Sequence, residues 1–81
     1  MSIGRWQAQH EDLQQRLLDA HARQNLEALV PLYTECADLA EVQKDISAAR
    51  FYLTHALVYA LDGGLSEYEE IRRRLEDHGG L

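Results

Sequence analysis

Eighty-one residues make one domain, and a 46% hydrophobic content with a single Pro and five Gly argues against disorder and for long uninterrupted helices. The net charge of −6 argues against nucleic acid and anionic membrane as partners, since both reward basic surfaces. A core this small is marginal: ordering costs roughly 1.5 kcal/mol per residue and apolar burial barely exceeds it, so help from self-association or a partner is expected.

The apolar spacing predicts a first helix from Arg5 or Trp6 to Ala22, carried by Trp6, Leu13, Leu17, Leu18 and Ala20 or His21. Its first half is polar. The break falls at Arg23-Gln24-Asn25, with Asn25 as N-cap of a second helix. Pro31 either lies in the second turn of that helix, where it costs one hydrogen bond and bends the chain, or marks a later start at Leu29 or Val30 with Pro31 at the first helical position. The spacing Leu26, Leu29, Leu32/Tyr33, Cys36/Ala37 and Leu39/Ala40 favours the longer helix, ending near Gln43.

After Lys44, Asp45 reads as the cap of a third helix. The stretch Ile46 to Leu61 is apolar almost all round: Ile46, Ala49, Leu53, Ala56, Leu57 and Ala60 form one stripe, and Phe51, Tyr52, Val58, Tyr59 and Leu61 widen it. Such a helix is buried on several sides, as the hub of the domain or part of an oligomer interface. Asp62-Gly63-Gly64 stops it. Ser66 then reads as the cap of a fourth helix, with Glu69 completing a capping box and Leu65 as staple, and the helix runs to about His78. Its apolar stripe is narrow, Leu65, Tyr68, Ile71 and Leu75. Its charges stand at pairing distance: Glu69 with Arg73, Glu70 with Arg74, Arg72 with Glu76, Arg73 with Asp77. The Arg72-Arg73-Arg74 run is flanked by acids and reads as a solvated face rather than a phosphate site.

Little in this pattern points to chemistry. Cys36 is alone in a helical context beside Glu35 and Asp38, which do not lower a thiol pKa, so it reads as a small apolar residue in a reducing compartment. With no signal-like apolar run and no segment of membrane-spanning length, a cytoplasmic setting is expected. No His pair has the three- or four-residue spacing of a helical metal site. His10 and His21 share a face but stand about 16 Å apart along the axis. His55 reads as a half-buried, hydrogen-bonded side chain, and Ser47 and Ser66 as helix-start residues. No catalytic set and no phosphate loop emerge, so no cofactor, no metal and no enzymatic activity are expected.

The two halves superpose at a shift of 39 residues, which sets Asn25-Leu26 on Gly64-Leu65 and Ala20 on Tyr59. A helix pair recurring at this period marks a helical solenoid. In HALVYALDGGLSEYEE a small residue, Ala56, is followed by Tyr59, a turn with Gly63, and Leu65 opening the next helix; in NLEALVPLYTECA, Leu26, Leu29, Tyr33 and Cys36 take the packing positions. On these residues the chain resembles the tetratricopeptide repeat family, with repeat one at about 5–43 and repeat two at about 45–78. Leu17, Ala20, Tyr68 and Arg72 depart from the family pattern.

The resemblance implies two stacked antiparallel helix pairs, an all-α fold whose alternative is a simple four-helix bundle. It also implies a concave face, lined by the first helix of each pair, that holds a peptide or partner helix. Carried onto this sequence, that face includes Gln14, Leu18 and His21 from helix one and Arg50, Leu53 and Leu57 from helix three. Phe51, Tyr52 and Val58, beyond what the stacking accounts for, are the expected self-association residues of a homodimer. The functional expectation is a non-enzymatic protein-interaction or scaffold module; the alternative is a small self-associating helical bundle without a ligand groove.

Overall fold

The computed structural model describes residues 11–79, and among them the chain is all-α: α1 (Glu11–Ala22), α2 (Leu26–Val42), α3 (Ile46–Gly63) and α4 (Tyr68–Asp77). The expected helix start at Arg5 or Trp6, the apolar position Trp6 and the His10 ligand test lie outside the described residues. Turns of three or four residues join helices that pack on one another in succession, so neighbours run antiparallel. The most extensive pairing is α2 with α3, and α1 and α4 flank it.

The helix ends follow local chemistry. Asn25 Oδ1 accepts the Ala28 N–H at 3.2 Å, and Asp45 Oδ1 accepts the Ala48 N–H at 3.1 Å, each satisfying a donor of the first turn. Pro31 lies inside α2, so the longer helix forms and loses one backbone donor. The first three helices all close the same way. The N–H groups of Asn25, Asp45 and Leu65 donate to the carbonyls of Ala20, Ala40 and Ala60 at 3.0, 2.9 and 2.9 Å. The residue before each donor is left-handed: Gln24 at φ 52°, Lys44 at φ 61° and Gly64 at φ 62°. This is the Schellman closure. The structural equivalences therefore recur every twenty residues, and Gly64 corresponds to Gln24 rather than to Asn25.

The capping box expected at Ser66 does not form. Residue Glu67 precedes α4 in helical conformation without a side-chain cap, and Glu69 pairs instead with Arg72 at 3.3 Å. The Tyr68 N–H reaches the Leu65 carbonyl at 3.2 Å, so the backbone turn itself supplies an acceptor and Ser66 is left exposed. Arg74 also departs from expectation. It reaches across to α2, donating to Asp38 Oδ1 at 2.7 Å and Glu41 Oε1 at 3.0 Å, while His78 Nε2 lies 2.6 Å from Glu41 Oε2. These contacts tie the end of α4 to α2.

The core is one cluster. From α2 it takes Val30, Cys36, Ala37 and Ala40; from α3, Ala48, Ala49, Tyr52, Leu53, Ala56 and Ala60; Leu13, Ile71 and Leu75 close it from α1 and α4. Small side chains on both central helices let their axes approach closely. Among the described residues no helix is long and apolar enough to cross a membrane.

Candidate functional site

The apolar circumference of α3 divides in two. Ala48, Ala49, Leu53, Ala56 and Ala60 turn inward, with Tyr52. Phe51, Val58 and Leu61 turn outward and are 50%, 51% and 64% exposed. They follow one line with Ser47 and Thr54, since positions 47, 51, 54, 58 and 61 advance by four and three residues and stay on one side of the helix. Two open hollows mark this face. One, of about 400 Å³, is bounded by Ser47, Arg50, Phe51, Thr54 and His55. The other, of about 300 Å³, is bounded by Thr54, His55, Val58 and Tyr59 and is largely apolar.

An aromatic edge borders the stripe. The His55 ring lies 4.4 Å from that of Phe51 and stacks on Tyr33 at 5.3 Å; Tyr33 stacks on Tyr59 at 5.7 Å. His55 Nδ1 sits 2.9 Å from the Phe51 carbonyl, which accepts, so that nitrogen carries the hydrogen. His21 closes the edge from α1, with Nε2 2.8 Å from the Tyr33 hydroxyl and its ring 5.8 Å from that of Tyr59. Burial, then the neighbouring Tyr59 and Cys36, push the Tyr33 hydroxyl up from its ordinary value, so it stays protonated and neutral. These contacts fix ring positions; they do not pair a nucleophile with a base.

The structure sorts the expected residues unevenly. Leu53 is fully buried in the core cluster, so it belongs to the core and not to a groove. Tyr52 is 5% exposed and likewise leaves the proposed association set, while Phe51 and Val58 remain on the surface. Leu57 is half-buried against the core. Gln14, Leu18 and Arg50 are exposed, Leu18 by 55%. His21 is engaged with Tyr33 and Tyr59, so of the expected α1 residues it is the one in contact with α3. Leu61 and Thr54 were missed as site residues; the four-and-three spacing from Ser47 to Leu61 was the available signal.

Elsewhere, a groove of about 450 Å³ runs between α1 and α2, lined by Arg16, Arg23, Pro31, Leu32 and Glu35 among others. Its charge is largely met from within: Arg16 pairs with Glu35 at 3.1 Å and Asp12 at 3.3 Å. Cys36 is fully buried, and burial first, then the Glu35 charge, push its thiol up to about 12, far from the reactive thiolate. Among the described residues no group of three or more His, Cys, Asp or Glu side chains is placed to hold a metal ion. No protein-family model matches the chain, and neither a curated protein nor a solved structure matches it.

Proposed function

We propose that the chain is a non-enzymatic protein-interaction module that takes an apolar helix or peptide along the outer face of α3, within a helical array that resembles tetratricopeptide repeats. The observation that carries this reading is the line Phe51, Val58 and Leu61, each at least half exposed on one helix of a small domain. Large apolar side chains gathered in a row outside, while alanines fill the inside, are what a docking helix requires. A free thiol at Cys36 fits a reducing, cytoplasmic setting.

The test is capture from a lysate followed by mass spectrometry, with wild type and Phe51→Glu side by side and their melting curves matched. The expected outcome is a defined set of proteins held by wild type and lost by the variant, with Arg50→Glu reducing the same set. Identical sets from wild type and Phe51→Glu at equal stability overturn the assignment of this face.

A further inference from the structure

We draw no further inference here: the strongest candidate, the exposed apolar stripe of Phe51, Val58 and Leu61 along the outer face of α3, belongs to the docking site already described, and nothing in the structure shows what covers it.

Discussion

The two faces of α3 invert the usual order of side-chain size. The inner face is mainly alanine, with Ala49, Ala56 and Ala60 fully buried, and the outer face carries phenylalanine, valine and leucine at half exposure or more. Small residues inside let three helices close on one axis, where bulky ones would hold them apart. The bulk outside contributes nothing to that packing. Apolar content therefore does not report core quality in this chain: part of it builds the domain, and part of it waits at the surface.

The sharpest way to break the inner face is to empty its fully buried large position. Leu53 is fully buried among the alanines, and Leu53→Ala should cost about 2–5 kcal/mol, since little nearby can collapse into the void. Urea unfolding followed by circular dichroism measures it. A cost below about 1 kcal/mol would mean the inner face is loosely packed. Overfilling should cost less: Ala56→Leu adds volume where α3 is fully enclosed and is expected to destabilise by about 1–3 kcal/mol in the same assay.

Much of this fold was legible in the sequence, and the exceptions have physical causes. Asn25 and Asp45 announce their helices because a short side chain accepting a first-turn N–H is a local event. Ser66 has the same local credentials and is bypassed, since the backbone turn after Gly64 already satisfies the Tyr68 N–H through Leu65. The twenty-residue recurrence was hidden because Gln24 and Lys44 take left-handed conformations that glycine usually signals; only Gly64 advertised its turn. The direction of α3 was hidden for another reason. A helix apolar on every side has no phase in a hydrophobic pattern, so Leu53 and Tyr52 were assigned to surfaces they do not reach. Residue size would have supplied the phase, since the alanines share one side and oppose Phe51 and Val58.

The flanks of the inner face depend on pH. Burial disfavours the Glu41 carboxylate, but the His78 hydrogen bond and the Arg74 charge and hydrogen bond outweigh it, leaving its pKa below the ordinary value. A carboxylate depressed in the folded state stabilises fully above its unfolded pKa, and that contribution disappears as pH falls through the folded one. Stability should therefore decline below the ordinary carboxylate range. Glu41→Gln should lower stability by about 1 kcal/mol at neutral pH, and the gap to wild type should shrink in acid. Melts across an acid series check this; a gap that stays constant would show that the α2–α4 tie does not depend on the charge.

The smallest effect belongs to the outer face, and its smallness is informative. Val58 is 51% exposed and lies outside the buried cluster, so Val58→Lys removes little burial and leaves no polar group unsatisfied. In dilute solution the change in unfolding free energy should stay within about 0.5 kcal/mol, the range of an ordinary surface substitution. The same variant should lose the proteins that wild type captures from a lysate, because on the proposed docking role the lysine ammonium would have to be desolvated against an apolar partner. Unfolding and lysate capture thus read the two faces separately: the inner face sets stability, and the outer face, on the proposed reading, sets capture. A Val58→Lys deficit above about 1 kcal/mol would place Val58 in the core and remove the contrast between the faces.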